Sequence, residues 1–381
     1  MTLSYCTNVH PAEDLRGVLA QLDRYAVPVR DRVGGELGLG LWLSAPVAKA
    51  LAEDPARRAG LRTALDARGL VVRTLNAFPH GGFHDEVVKH AVYHPDWTTT
   101  ARLDYTLDCA TVLADLVPEG GAGSISTLPL AWRHPWSEAD HARALDVLAE
   151  AAAGLRALAD GTGRTIRLAV EPEPGCVVDT VADAVRVLAG RVDPDHVGIC
   201  LDTCHLAVSF ADPAAAVRSI ADAGLRVVKV QASAALELTD PADAPAVLGP
   251  FAEPRYLHQV RALVDGRVHR ADDLPEAFAE LPTGGPWRVH FHVPLHAEPP
   301  APLRAEPPAP LRATTDVLRE AVAAVREVGH DPDVEVETYT WSVLPDAGER
   351  GTGDLAEWDL VEGIAAELRW AAAELPLEVR S

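Results

Sequence analysis

Four segments of this sequence end a short apolar run on residues able to bind a cation or move a proton. They are Arg167-Leu-Ala-Val-Glu171-Pro-Glu173, Gly198-Ile-Cys-Leu-Asp202-Thr-Cys-His205, Val227-Val-Lys229-Val-Gln231 and Val334-Glu335-Val-Glu337-Thr-Tyr339-Thr-Trp341. Side chains alternate between faces in an extended chain, so polar residues two apart at the end of a buried strand point the same way, into a common mouth. Glu171 is the leading candidate; Glu173 better suits a cap on the next helix. Asp202 would point up into the mouth, with His205 on the first turn beyond it. Lys229 and Gln231 share a face, and a buried lysine needs a partner: it serves either as a proton carrier or as charge balance for nearby carboxylates. Glu335 is expected either to pair with Lys229 or to lie exposed. Glu337 completes the carboxylate set, with Glu335, Tyr339 and Trp341 expected on its face.

Three inward carboxylates repel strongly at low dielectric, so their pKa values rise or a divalent ion neutralises them. A ligand set of Glu171, Asp202, Gln231 and Glu337 suits Mg or Mn, whereas histidine participation favours Zn, Co or Fe. Both remain open, because His205 adjoins the set and His290 and His292, two apart in Val-His-Phe-His-Val-Pro, could enter it. A structural zinc on Cys200, Cys204 and His205 lacks a fourth ligand. Asn8, His10, Asn76, His80 and His84, at the ends of other strands, read as substrate contacts, with Gly81-Gly82 making their loop pliable. Trp42, Trp132, Trp136 and Tyr339 are candidate walls. Arg133-His134 suits either an anionic group or a surface salt bridge.

The elements that must position these residues repeat from end to end: a β-branched or apolar run, a polar turn, then an Ala/Leu/Arg amphipathic helix. That alternation predicts an α/β fold, a (β/α)8 TIM barrel spanning 1–381 as one domain. Candidate strands are Leu3–His10, Leu37–Leu43, Leu70–Pro79, Ser124–Leu130, Ile166–Pro172, Val197–Asp202, Arg226–Ala232, Trp287–Pro294 and Val334–Trp341. Nine candidates compete for eight places. Trp287–Pro294 is taken as the extra strand, following an insertion over 233–286 after the seventh strand. The octad AEPPAPLR occurs twice over 297–312, a Pro-rich linker loop before the last strand. Helix starts are marked by Ser137 with Asp140, by Asp179 and by Asp212-Pro213. Leu355–Leu375 reads as a closing amphipathic helix.

Composition narrows the function. Of 381 residues 48% are hydrophobic and 24% charged, and no apolar run approaches the roughly 20 residues that a membrane span requires, so no membrane insertion is expected. The N-terminus lacks the pattern of a secretory signal, which makes the cytoplasm the expected location. The formal charge of −22 opposes a phosphate backbone, so nucleic acid is not the expected partner; a small-molecule substrate is. Five cysteines without a CxxC pair read as reduced thiols.

The order of a strand-end Glu, then Asp-Thr-x-His, then a polar ligand, then a last-strand Glu resembles the sugar-phosphate isomerase/epimerase group of xylose isomerase-like barrels. Leu-Ser-Tyr-Cys-Thr-Asn-Val-His-Pro, Thr-Leu-Asn-Ala-Phe-Pro-His-Gly and Leu-Asp-Thr-Cys-His further resemble the bacterial metabolite traffic protein EboE family, over nearly the whole chain. The superfamily resemblance implies that Glu171, Asp202, Gln231 and Glu337 hold a divalent metal (Mn, Mg, Zn or Co). It also implies that Glu171 and Glu337 relay protons and that His205 contacts substrate. Where many epimerases carry a metal-binding histidine on the seventh strand, this chain has Gln231. The EboE-like resemblance implies precursor handling or export for secondary metabolites and no established reaction. The expected function is a metal-dependent isomerase or epimerase of a sugar-, sugar-phosphate- or cyclitol-like metabolite, with Glu171, Glu337 and Lys229 as catalytic candidates. A non-catalytic metabolite carrier using the same pocket is the alternative. Metal-dependent phosphodiester cleavage is a further reading, which the net charge opposes.

Overall fold

The computed structural model describes residues 2–118, 120–296, 311–345 and 354–377. Eight parallel strands close into a barrel: β1 (Thr2–Cys6), β2 (Leu37–Trp42), β3 (Leu70–Asn76), β4 (Ala122–Thr127), β5 (Thr165–Val170), β6 (Val197–Asp202), β7 (Val227–Ala232) and, at the end of the chain, β13 (Asp333–Val336). β13 sits between β7 and β1 and completes the ring. The β-branched and leucine-rich runs become strands buried on both faces, as a parallel sheet covered by helices requires. Helices between them start where the sequence caps them. Ser137 and Asp140 form a reciprocal capping box, and the Asp212 side chain accepts from Ala215 N. The expected start at Asp179 falls one residue later: Thr180 caps the helix Val181–Leu188 through a box with Asp183, which frees Asp179 to accept from Gly175 N and Arg261.

The long connection after β7 builds a second sheet on the barrel. Here β8 (Leu236–Leu238), β9 (Val260–Val264), β10 (Arg267–Ala271), β11 (Trp287–Val289) and β12 (Leu311–Ala313) pair in the order β10-β9-β11-β8-β12, with every pairing antiparallel. The extra strand of the sequence is thus β11, outside the barrel. Of the repeated octad, Leu311 and Arg312 lie in β12 and not in a linker; 297–310 lie outside the described residues. Arg288 and Arg312 both reach Glu237 at 2.6 Å, an ion-pair cluster joining β11, β8 and β12. The helix Asp354–Glu374 packs its described apolar face, Val361, Ile364, Leu368 and Ala371, into the main core.

The last barrel strand is shorter than the alternation suggests, and after Val336 the chain turns into a 3-10 helix at Tyr339–Val343. Tyr339 therefore reaches the barrel mouth while Trp341 turns to the closing helix, its indole donating to Glu367 at 3.2 Å. The shared face expected for Glu335, Glu337, Tyr339 and Trp341 breaks because a 3-10 turn advances roughly 120° per residue rather than 180°.

Candidate metal centre and active site

Inside the barrel, polar side chains stand in two layers. In the lower one Lys229 Nζ lies 2.6 Å from Glu335 Oε2, with both side chains fully buried, and Nζ also donates to Ser126 Oγ at 3.1 Å. Burial disfavours the lysine's charge, but Glu335 with Cys200 and Cys6 outweighs it and raises the Lys229 pKa overall. Gly40 on β2 makes room for this pair: a Cβ there would sit 1.1 Å from Glu335 Oε1. Of the two places expected for Glu335, it takes the ion pair.

One step up each strand is the mouth. Glu171 continues the β5 ladder, its amide bonding to Thr127 O, and Glu337 does so for β13 through Ala232 O. Glu171, Asp202 and Glu337 bring one carboxylate oxygen each to within 4.8 Å of one another, all three buried. Burial first, then the neighbouring acids, push the Glu171 and Glu337 pKa values well above the usual carboxylate range. Glu337 Oε1 accepts from Asn8 Nδ2 at 2.7 Å and Asn76 Nδ2 at 2.9 Å, which fixes its orientation. Asp202 does two things at once. Its Oδ1 caps the following helix by accepting from His205 N and also takes the Ser233 hydroxyl, while Oδ2 is left for the mouth.

The loop after β11 adds histidines that the barrel strands lack. His292 Nδ1 donates to Glu337 O at 2.7 Å, so Nε2 is bare, and it lies 3.9 Å from Asp202 Oδ2. Buried atoms without a hydrogen-bond partner converge here: Glu171 Oε2, Asp202 Oδ2, His292 Nε2 and Gln231 Nε2. Buried polar atoms are normally satisfied, and the three acceptors among these, Glu171 Oε2, Asp202 Oδ2 and His292 Nε2, are what a cation's ligands look like before it binds, whereas the Gln231 amide nitrogen is a donor. Glu171, Asp202, Glu337 and His292 thus fit a divalent ion, a mixed oxygen and nitrogen set. Gln231 Oε1 accepts from Cys200 Sγ at 3.2 Å.

A second polar group adjoins the first. His205 Nδ1 faces Pro172 O at 2.9 Å and His290 Nδ1 faces Gln259 Oε1 at 2.6 Å, so both rings carry their proton on Nδ1. Their Nε2 atoms lie 3.0 Å apart, a distance that two facing lone pairs do not hold by themselves, so a proton or a ligand's donor between them is shared by both rings. Burial lowers the His205 pKa to about 4 and His290 well below the ordinary value, keeping both neutral. Glu173 does not cap a helix. It is buried, accepts from Tyr93 Oη at 2.8 Å, and burial raises its pKa to about 8.

Of the residues expected at substrate, Asn8, Asn76, His205, His290, His292 and Tyr339 line a cavity over Glu171 and Glu337. Four others lie elsewhere. His10 is in the core, stacked on Tyr25 with ring centroids 4.1 Å apart, because the chain turns into a 3-10 helix at Thr7–Val9 and carries it out of the strand's alternation. His80 packs edge-on against Tyr105. His84 bonds to Asn8 O at 2.7 Å from behind the wall, and Trp132 packs on Tyr93, which itself lines the cavity. Arg133 forms a salt bridge with Asp272, the second of its two expected roles. Sequence reasoning missed Glu173, Tyr93, Gln259, Phe83 and Tyr256. Only Glu173 had a usable signal, its i+2 spacing from Glu171; Tyr93 ends a short 3-10 helix and the others sit in loops, without periodicity.

A closed parallel barrel with buried acids gathered at the C-terminal ends of β5, β6 and β13 defines the class: a TIM barrel with a candidate metal centre at its catalytic face. The chain belongs to the xylose isomerase-like TIM barrel family, whose model matches residues 38–280. Solved structures of similar fold include a D-psicose 3-epimerase crystallised in the presence of D-fructose (TM-score 0.52, 15% identity, 98% of this chain and 99% of that one covered). Another is a xylose isomerase-like TIM barrel protein from Mycobacterium smegmatis in complex with magnesium (0.54, 13%, 98% and 97%). A third is the IOLI protein with a bound zinc atom (0.52, 13%, 99% and 100%). At these identities the likeness is one of fold. Among proteins of curated function none matches the chain.

Proposed function

We propose that this protein is a divalent-metal-dependent isomerase or epimerase that moves a proton at a carbon flanked by hydroxyl and carbonyl groups of a sugar- or cyclitol-like metabolite. The observation that carries the reading is the convergence of orphaned atoms on Glu171, Asp202 and His292 beside Glu337. Sugar epimerases among the structures of similar fold, with magnesium or zinc in others, support it. His292, delivered by the segment after the insertion, takes the role expected of a seventh-strand ligand, and Gln231 lies beside the set. A divalent ion, when bound, neutralises the carboxylates and polarises substrate oxygens. Glu171 and Glu337 then remove and return the carbon-bound proton. Asn8 and Asn76 hold Glu337 in place, and the paired imidazoles of His205 and His290 face the substrate's hydroxyls. Lys229, held as an ammonium by Glu335, balances charge beneath the site and takes no part in proton transfer to the substrate.

The EboE-like motifs support a role for this activity in secondary-metabolite precursor handling, for which the cytoplasm is the expected location. The test is incubation of Mn-loaded protein in D2O with small-molecule extract from cells lacking it, followed by mass spectrometry for a compound that gains deuterium. Glu171→Gln and Glu337→Gln should each slow incorporation at least about 100-fold. Full incorporation in both variants, or in metal-stripped protein, overturns the reading. Tight retention of one metabolite without exchange, in fully metallated protein, would instead make the chain a carrier.

A further inference from the structure

The cavity's walls say more about its ligand than its floor does. Above the acids and histidines the lining is almost wholly apolar: Phe78, Phe83, Val88, Val92, Tyr256 and Leu257. Phe83, Val88 and Tyr256, with Trp42, form a hydrophobic cluster separate from the main core, bridging the loop after β3 to the inserted segment. Phe83 and Tyr256 rings lie 5.3 Å apart, and the Tyr256 hydroxyl donates to Phe83 O at 3.2 Å, so the two segments are tied into one wall. Next to it, Val87 is 57% exposed, extending apolar surface outward.

The same lining is poor in free positive charge. Lys89 is its one basic side chain among the described residues besides the buried histidines, and its Nζ is held 2.5 Å from Asp273 Oδ2. A phosphoryl group normally requires guanidinium, ammonium or helix N-terminal donors aimed at it, and a site floored by carboxylates in a chain of charge −22 repels one further.

Resting on the metal-dependent reading above, we infer that the substrate is uncharged and two-sided: a hydroxy-carbonyl head at the metal floor and an apolar or aromatic body against Phe83, Val88 and Tyr256. It is not a sugar phosphate. Desolvating that body supplies binding that a free sugar or a phosphorylated one lacks.

The probes are three hydroxamates, which share a metal-chelating head and differ in tail: acetohydroxamate, benzohydroxamate and phosphonoacetohydroxamate. Each is titrated by calorimetry into Mn-loaded and metal-stripped protein. Benzohydroxamate should bind the Mn-loaded protein at least about tenfold tighter than acetohydroxamate, and phosphonoacetohydroxamate more weakly than either. Phe83→Asp and, as a milder change, Val88→Asp should retain Mn and acetohydroxamate binding, showing an intact fold and floor, while losing the preference for the phenyl tail. Equal affinities, a preference for the phosphonate, or a phenyl preference that survives both substitutions overturns the inference and leaves the metal reading standing. Failure of every hydroxamate to distinguish Mn-loaded from stripped protein overturns the metal reading, and this inference with it.

Discussion

Glu335 and Glu337 are two residues apart at the end of the chain's last barrel strand and face the same interior, yet their surroundings differ in kind. Glu335 meets Lys229 at 2.6 Å in a layer closed by neighbouring strands. Glu337 meets Glu171 and Asp202, and the partners that hold it are the neutral amides of Asn8 and Asn76. The lower layer pairs its charges; the upper one holds acids whose repulsion and burial Lys229 offsets only in part. A buried pair that is complete is structural, whereas a buried cluster left incomplete is where an outside ion, and then a substrate, gains its binding energy.

That contrast is sharpest under substitution. Lys229→Met strands Glu335 without its partner in the core, which should cost about 3–5 kcal/mol, a large share of a typical domain's stability. Lys229→Met with Glu335→Gln should recover most of the loss, read by calorimetric melting. If the single variant melts like the wild type, the two layers do not differ as described.

Upstairs the sign reverses. In metal-free protein Glu171→Gln relieves repulsion among buried acids and should raise Tm by a few degrees. Mn at about 100 times its Kd should stabilise the wild type by about 2.7 kcal/mol and leave the variant's Tm nearly unchanged. A variant still stabilised by Mn would place the ion elsewhere.

The ligand set can be resolved by comparing two further changes through Mn affinity. His292→Ala should weaken binding by at least about 10- to 100-fold, and Gln231→Ala far less. The reverse order would mean an all-oxygen site built from the strands alone.

The smallest effect concerns pH. Burial raises the carboxyl pKa of Glu173 to about 8 and of Glu367, beneath Thr338 and Trp341, to about 7. The folded state therefore binds these protons more tightly than the unfolded chain, so stability is greatest below the ordinary carboxylate range. It falls as pH climbs toward about 7 for Glu367 and about 8 for Glu173, then levels. Melting of metal-free protein between pH 5 and 8.5 should show this decline, and Glu367→Gln should flatten part of it without affecting Mn binding.

The residue order by itself determined the barrel and its strand-end acids. Period-2 alternation and apolar runs are local, so the eight barrel strands lie where they were expected, with ends shifted by a few residues, and Glu171, Asp202 and Glu337 stand together at the ends of β5, β6 and β13. Whether Glu335 pairs or lies exposed depended on a lysine from another strand and on a glycine whose missing Cβ leaves it space. Of the second sheet the local signals marked one strand, Trp287–Pro294, and not its antiparallel pairings, which join residues as far apart as Leu236 and Ala313. With that sheet came the placement of His290, His292 and Gln259 and the apolar wall of Phe83 and Tyr256, while the 3-10 turn at Thr7–Val9 sent His10 to the core. A strand's own pattern says which side a residue faces; only packing between distant segments decides what it faces.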